Sequence, residues 1–304
     1  MTQTPILTCE NLGKKYANNG FKLSPIDIAL NANEITGLVG ENGNGKTTLL
    51  SMLAGELHPS EGSIQFHFSE SQKWEDVKPK IGLITQDLKQ WAGTVYNNLH
   101  FSASINGIKG EENEKYVDKL IKDLGLWDYR LLDWSALSGG YKMRFELAKV
   151  LASKPRLLIL DEPLANLDIK AQTNFLNDLK DFQHSVNYDL SIIVSSQHLY
   201  KIEEVSDQII FLKQGECVYK GRVDEMHEGQ DTLVYEVVVL ENQQNLIDAI
   251  SIDLVKKYNQ SGNTFLIYCN KALSPKAFLS HLLNADIEIY AYRNISNSTR
   301  KFFE

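Results

Sequence analysis

The stretch Gly40–Thr47 carries three glycines followed by a lysine and a threonine, in the spacing G-x-x-x-x-G-K-[ST]. Glycines at these positions let the backbone curl so that its N–H groups point inward at phosphate oxygens. Lys46 supplies a mobile positive charge for terminal phosphates, and the Thr47 hydroxyl is a hard-oxygen ligand for Mg²⁺. The motif follows an apolar run ending at Val39 and opens a helical pattern, which is the context that a phosphate-binding loop requires.

A second chemical feature is an apolar run, Leu157–Leu160, that ends in two carboxylates. Asp161 is placed to hold Mg²⁺ or its waters, and Glu162 is placed to polarise an attacking water molecule. Taken alone, the run could equally be any strand that ends in an acidic turn. Beside a phosphate-binding loop, it predicts hydrolysis of a nucleotide.

The third feature is Ser138–Gly140, which precedes a helical pattern beginning near Tyr141. The unpaired N–H groups at a helix N-terminus form an anion site. A capped helix with a glycine turn is the simpler interpretation, and it would be preferred if this motif stood alone.

The elements that must position these motifs alternate between strands and helices, which predicts a parallel α/β sheet. The helical patterns are Glu111–Leu124, which Gly125 should end, and Lys142–Ser153. The candidate strands are apolar runs, and they cover Glu34–Val39, Ser63–Phe68, Lys80–Thr85, Leu157–Asp161, Leu190–Ser195 and Gln208–Lys213.

After about residue 226 the pattern starts again, which predicts two domains, 1–226 and 227–304. The second is expected to be a small α/β domain with a helix that begins at Ser274–Pro275, where a capping serine precedes proline. Its other expected elements are a helix and three strands, namely the helix Asn242–Tyr258 and the strands Leu233–Leu240, Thr264–Cys269 and Asp286–Tyr292.

The composition excludes several classes of protein. The net charge of the 304 residues is −8, and a basic excess is typical of proteins that bind nucleic acid, so no nucleic-acid partner is expected. The three cysteines lie far apart and without C-x-x-C spacing, which argues against a disulfide framework and a zinc site. No apolar run approaches the roughly 18 residues needed to span a bilayer, so we expect no membrane crossing.

In this order, the motifs resemble those of the ATP-binding cassette (ABC) ATPases over roughly residues 5–225. The resemblance implies a P-loop NTPase fold: a RecA-like α/β core with an antiparallel β subdomain and a helical subdomain at about 87–140. It also implies ATP as substrate and Mg²⁺ as cofactor. The residues that it assigns to the nucleotide are Tyr16, Gly40, Glu41, Asn42, Gly43, Asn44, Gly45, Lys46, Thr47, Thr48, Ser138, Gly139 and Gly140.

Within that resemblance, Tyr16 looks like the aromatic residue that stacks on adenine, although it could instead be a packed loop residue. Gln86 looks like the Q-loop glutamine, a catalytic and Mg²⁺-binding position, although it could be a surface residue. Thr47 and Asp161 complete the metal positions, and Glu162 is the catalytic base. Ala165–Asp168 looks like the D-loop.

Two departures from the family pattern concern the signature and the switch position. Tyr141 stands where the signature motif usually has glutamine. The family places a switch histidine after the strand Leu190–Ser195, where this chain has Gln197 followed by His198. Alignment without gaps puts Gln197 at the switch, and a slip of one residue would put His198 there.

The resemblance also implies partners. Each ATP would lie between two cassettes, so we expect a homodimer or a pair with a paralogous cassette, together with a separately encoded integral-membrane permease. The segment Gln86–Trp134 looks like the part that docks this permease. The tail Ile295–Phe303 is similar to that of ABC-2 type exporters, so we expect an exporter ATPase on the cytoplasmic face of the membrane. An equally acceptable interpretation is that the second domain is a ferredoxin-like half that only supports dimerisation. The alternative is a soluble ATP-dependent switch protein that regulates a macromolecule without transport.

Overall fold

The structure is a computed structural model that describes residues 5–17, 20–225, 232–241, 243–285 and 287–296. The chain divides into two compact units, Met1–Gly221 and Arg222–Glu304. In the described part of the chain, no helix is both long enough and apolar enough to cross a membrane.

The first unit contains nine strands and seven α-helices among its described residues. The strands are β1 (Pro5–Lys15), β2 (Lys22–Asn31), β3 (Ile35–Val39), β4 (Glu61–Phe66), β5 (Ile81–Ile84), β6 (Leu157–Leu160), β7 (Ser191–Ser196), β8 (Gln208–Lys213) and β9 (Glu216–Arg222). The helices are α1 (Lys46–Leu53), α2 (Trp74–Val77), α3 (Val95–Ile105), α4 (Gly110–Asp123), α5 (Gly139–Leu151), α6 (Ile169–Ser185) and α7 (Leu199–Glu203).

The main sheet has six strands in the order β5-β6-β7-β3-β8-β9. Five of these strands, β5, β6, β7, β3 and β8, run parallel, each paired with the next in this order. Every residue of β3, β6 and β7 is buried, as expected for strands covered on both faces. The phosphate-binding loop follows β3 and the acidic pair follows β6, so both motifs lie at the carboxyl edge of one sheet, with the end of β7 between them.

A separate antiparallel sheet has the order β2-β1-β4. It contradicts the placement of the run Ser63–Phe68 among the strands of the parallel sheet, because the strand found there is β4, which pairs with β1. Residue periodicity indicates a strand but does not determine its partner. The antiparallel sheet implied by the family resemblance is present.

Two predicted helices of the first unit are confirmed. Helix α4 ends at Asp123, and Gly125 follows with a φ of 63°, the left-handed conformation that glycine adopts readily after a helix. Helix α5 starts at Gly139, after Ser138, and ends at Leu151, so it begins three residues before the predicted Lys142.

Helix α7 packs directly on β3. A Cβ atom at Gly37 would lie 2.3 Å from the Cγ2 atom of Ile202 in α7, which is closer than any side chain tolerates. Glycine at this position therefore allows α7 to lie against the strand that leads into the phosphate-binding loop.

The second unit contains β10 (Thr232–Val238), α8 (Gln243–Ile250), β11 (Val255–Ser261), β12 (Thr264–Asn270), α9 (Pro275–Asn284) and β13 (Ala291–Asn294). The strands form an antiparallel sheet in the order β11-β12-β10-β13, and the βαββαβ succession is ferredoxin-like. The predicted start of α9 is confirmed, since the Ser274 side chain accepts the Ala277 N–H.

Two predictions for this unit are wrong. The expected helix Asn242–Tyr258 stops at Ile250, and its second half is the strand β11. The two residues between Ser261 and Thr264, Gly262 and Asn263, form a tight hairpin, with a φ of 58° at Gly262, and pairing with β12 imposes the strand. The expected strand Asp286–Tyr292 is largely irregular in its described part, and the strand proper is β13.

Candidate functional site

The phosphate-binding loop is wedged between the ends of β7 and β8. The Gly40 N–H donates to the Ser196 carbonyl at 3.4 Å, and a Cβ atom at Gly40 would lie 2.4 Å from the Leu212 carbonyl oxygen. Gly43 and Gly45 have φ values of 83° and 97°, which side-chain-bearing residues rarely adopt. The loop therefore requires its glycines, and the result is the backbone cradle that a chain of phosphates fits.

The Lys46 side chain folds back onto the backbone of the phosphate-binding loop. Its Nζ atom donates to the carbonyl oxygens of Gly40 at 2.6 Å and Glu41 at 3.1 Å. The same atom lies 3.0 Å from Glu162 Oε1, and the two side chains are only 5% and 11% exposed. The fold therefore joins the loop motif and the acidic strand end in one site, which the sequence alone could only suggest.

Ser195 connects the two acidic positions to β7. Its hydroxyl donates to Asp161 Oδ1 at 2.7 Å and accepts the Glu162 N–H at 2.8 Å. Glu162 has a φ of 50°, an uncommon conformation for a residue other than glycine. Sequence reasoning did not select Ser195, although a polar serine within a buried strand was an available signal.

The residues present fit a magnesium nucleotide. Thr47 and Asp161 offer a hydroxyl and a carboxylate, which are hard-oxygen ligands. In the described ranges, no group of three or more His, Cys, Asp or Glu side chains forms a complete metal cage. Mg²⁺ prefers a few protein oxygens together with substrate phosphates and waters as ligands. When it is bound, the ion neutralises part of the phosphate charge.

The other predicted nucleotide-binding residues differ in where their side chains lie. Tyr16 is half-buried, and its phenol oxygen lies 3.4 Å from Thr48 Oγ1, so the ring stands beside the start of α1. The Asn44 side chain instead faces β8: it donates to the Leu212 carbonyl at 3.3 Å and accepts the Gln214 N–H at 3.0 Å. Asn44 thus anchors the loop to the next strand. Glu41 and Asn42 are exposed.

The signature segment lies apart from this loop. Ser138 and Gly139 are exposed at the N-terminus of α5, and a cavity of about 300 Å³ beside them is lined by Ser138, Gly140 and Tyr141. The Tyr141 ring centroid is 3.9 Å from that of Tyr129, so this tyrosine is held by an aromatic neighbour. Among the described residues, no hydrogen bond joins Ser138–Gly140 to the phosphate-binding loop of the same chain.

Three predicted polar residues lie at strand ends. Gln86 is exposed two residues after β5, Gln197 is exposed directly after β7, and His198 is exposed directly before α7. The His198 N–H donates to Ser196 Oγ at 2.9 Å. Strand alternation continued by one residue would put Gln197 on the side of Ser195, which faces Asp161. The assignment of Gln197 as the switch stays a prediction.

A partly buried cluster links the segment after Gln86 to α5. The Trp91 indole N–H donates to the Glu146 carboxylate, and the Lys149 ammonium lies 3.7 Å from the centre of the Trp91 ring. Burial raises the pKa of Glu146 and lowers the pKa of Lys149. Both directions reflect the partial removal of these charges from water.

Comparison with known proteins identifies the family. Residues 23–165 match the family described as ABC transporter. The chain is 32% identical over 219 residues to the energy-coupling factor transporter ATP-binding protein EcfA2 of Clostridium acetobutylicum, covering 69% of this chain and 76% of the relative. It is 30% identical over 237 residues to the phosphonates import ATP-binding protein PhnC of Treponema denticola, covering 73% and 92%.

The solved structure of cbiO1 from Clostridium perfringens, described as part of the ABC transporter complex cbiONQ, superposes with a TM-score of 0.66. The two are 29% identical, and the match covers 72% of this chain and 88% of that one. The glycine cradle, the paired Lys46 and Glu162, and this similarity in sequence and fold lead to one conclusion: the chain belongs to the ATP-binding, ATP-hydrolysing subunits of ABC transporters.

Proposed function

We propose that Glu162 is the general base for ATP hydrolysis in this chain and that hydrolysis powers a separate membrane-spanning partner. The observation that carries the first part is the contact of 3.0 Å between Lys46 Nζ and Glu162 Oε1. It brings the candidate base to the residue that would hold the terminal phosphates, which is where an attacking water has to be activated.

Each side chain then has a separate task. The Lys46 ammonium attracts the β- and γ-phosphate oxygens, and the backbone N–H groups of the loop hold them in line. The Glu162 carboxylate accepts a proton from the attacking water. Ser195 holds the Asp161 carboxylate and the Glu162 backbone at a fixed spacing, so these two groups are already in place before the reaction.

A complete site would use two chains. The family arrangement places Ser138–Gly140 of one cassette against the loop of the other. Its support here is that this segment is exposed and has no hydrogen bond to the loop of its own chain among the described residues. A second copy of this chain, or a paralogous cassette, would complete each site.

The membrane partner would dock on the segment Gln86–Trp134. This segment exposes large apolar side chains on and after α3, with Phe101 66%, Ile105 67% and Leu131 69% exposed. Exposed apolar groups of this size are typical of interaction surfaces. Because ATP is supplied from the cytoplasm, we place the chain on the cytoplasmic face of the membrane.

The relatives do not support the expectation of an exporter. The relatives compared are named for energy coupling and for phosphonates import, so the expectation of an exporter has no support from them. Most of the tail that suggested export, residues 297–303, lies outside the described residues. The relatives are transporter subunits, so they do not favour the soluble switch protein either.

The test is to express the chain with the protein of an adjacent gene that encodes about six apolar spans. We expect the chain to sediment with membranes only when this partner is present. A triple Phe101→Ser, Ile105→Ser and Leu131→Ser variant should hydrolyse ATP but stay in the supernatant. Sedimentation that does not depend on the partner would contradict the proposal.

A further inference from the structure

Gln172 is a buried glutamine that holds the turn between β6 and α6. It is 8% exposed, and its Nε2 atom donates to the carbonyl oxygens of Leu164 at 3.0 Å and Leu167 at 2.9 Å. A side-chain amide has two donor hydrogens, and this arrangement uses both. One side chain therefore fixes two points of the turn.

The turn that Gln172 holds begins at Glu162. The Ala165 N–H donates to the Glu162 carbonyl at 3.2 Å, and the Leu167 N–H donates to the Leu164 carbonyl at 3.2 Å. Because Glu162 has the uncommon φ of 50°, its conformation depends on what holds the chain after it. The Gln172 contacts therefore bear on where the candidate base lies.

Lys201 determines how the Gln172 amide is oriented. Lys201 is 8% exposed, and its Nζ atom donates to Gln172 Oε1. An ammonium group can only donate, so it must meet the oxygen of the amide and leaves the NH₂ group facing the two carbonyls. Lys201 lies in α7, which starts one residue after His198 and packs on β3 at Gly37.

We propose that Lys201 and Gln172 are positioning residues for ATP hydrolysis, which tie α7 to the turn that carries Glu162. The pair links the segment after β7, with Gln197 and His198, to the segment after β6. Both segments border the phosphate-binding loop. The link therefore fixes the distance between Glu162 and the candidate switch residues, Gln197 and His198. The inference rests on the proposed role of Glu162.

A matched control separates positioning from ordinary stabilisation. Gln183 lies in the same helix, is 6% exposed, and its Nε2 atom donates to the carbonyl oxygens of Asn33 at 2.6 Å and Leu190 at 3.4 Å. These two residues precede β3 and β7, so Gln183 acts at the edge of the sheet opposite the phosphate-binding loop. Gln172→Ala and Gln183→Ala remove equivalent buried amides.

The experiment compares these variants in the full chain. We expect both to lower the melting temperature by a similar amount. Only Gln172→Ala should also lower kcat, by about tenfold or more, with KM for ATP within about twofold of the wild-type value, because placement of a catalytic group and not ground-state binding is lost. Equal kcat values for the two variants, or an unchanged kcat for Gln172→Ala, would overturn the proposal.

Lys201 gives an independent measurement if Gln172→Ala does not fold. Lys201→Met keeps an apolar stem but removes the donor, and Lys201→Arg keeps donors. We expect kcat to fall in Lys201→Met and to recover in Lys201→Arg; wild-type kcat in Lys201→Met would overturn the pairing. Full activity in Glu162→Gln would overturn only the proposed role of Glu162. The comparison of kcat between the Gln172 and Gln183 variants would still test the positioning role of Gln172.

Discussion

The Nζ atom of Lys46 lies 3.0 Å from the Oε1 atom of Glu162, and both side chains are almost fully buried. The positive charge that should attract phosphates and the carboxylate that should accept a proton are therefore direct partners. Loss of either one leaves the other charge buried without its partner, which is strongly unfavourable. Substitutions at these two positions should consequently affect each other.

Lys46→Ala should abolish hydrolysis and weaken ATP binding. The phosphates would be held only by backbone donors, and removal of such a clamp typically lowers the rate by factors of about 10³ or more. Initial rates of phosphate release and equilibrium binding of a fluorescent ATP analogue measure the two effects. Lys80→Ala is a suitable control, because this lysine precedes β5 at the end away from the loop and donates to the Phe68 carbonyl. Near-normal turnover in Lys46→Ala would contradict the assignment of this site.

Glu162→Gln should bind ATP but not turn it over, because a neutral amide cannot take the proton of the attacking water. If two chains complete each site, an ATP-dependent dimer should accumulate and be visible by gel filtration. A variant that stays monomeric with ATP would show that this chain does not form the two-cassette arrangement by itself.

Ser195→Ala should lower both stability and kcat. It removes the donor to Asp161 and leaves the Glu162 N–H without its acceptor, and an unsatisfied buried group costs about 1–3 kcal/mol. Ser191→Ala is the matched control, since Ser191 is buried at the opposite end of β7, where its hydroxyl accepts the Asn33 N–H at 3.1 Å and donates to the Asn31 carbonyl at 2.8 Å. Thermal unfolding should show a loss of stability in both variants, whereas only Ser195→Ala should lower the ATPase rate; equal rates would argue against a role for Ser195 at the site.

The switch position can be resolved by the pH profile of hydrolysis between pH 6 and 9. If Gln197 contacts the γ-phosphate, Gln197→Ala should lower the rate, and the wild-type profile should lack a histidine-like inflection near the ordinary pKa of about 6.5. A glutamine amide can donate to the same oxygen but exchanges no proton. If only His198→Ala lowers the rate, the register predicted for this strand end is wrong.

Deletion of the residues after Gly229 should leave a first unit that folds and binds nucleotide. The two compact units have separate apolar clusters, and that of the second is built around Tyr235, Phe265 and Phe278. We expect weaker dimerisation or altered coupling to the partner. A collapsed thermal transition in the truncated chain would show instead that the two parts depend on one another.

Much of the site could be predicted from the sequence because its signals are local. Gly40, Gly43 and Gly45 are required by backbone conformation alone, and a lysine at the next position must lie at the same helix start. The C-terminal end of α4 and the start of α9 are likewise determined by residues within one turn, Gly125 and Ser274. The sequence therefore predicts both positions to within a few residues.

What the sequence alone could not show depends on partners distant along the chain. The sequence predicts a helix over much of β11, because the residues of this strand pair with β12 only after the hairpin closes. The β1–β2–β4 sheet, the bridge of Ser195 to Asp161, and the contact of Lys201 with Gln172 also join separate segments.

This division between what the sequence predicts and what the tertiary structure adds has one physical reason. Torsional preferences and capping act between neighbours in sequence, whereas hydrogen bonds between buried side chains are set by which strands lie side by side. The sequence by itself determined that this chain binds phosphates and has a carboxylate for hydrolysis. Only the tertiary structure decided that Glu162 contacts Lys46, that Asn44 anchors the phosphate-binding loop to β8, and that Gln172 holds the turn between β6 and α6.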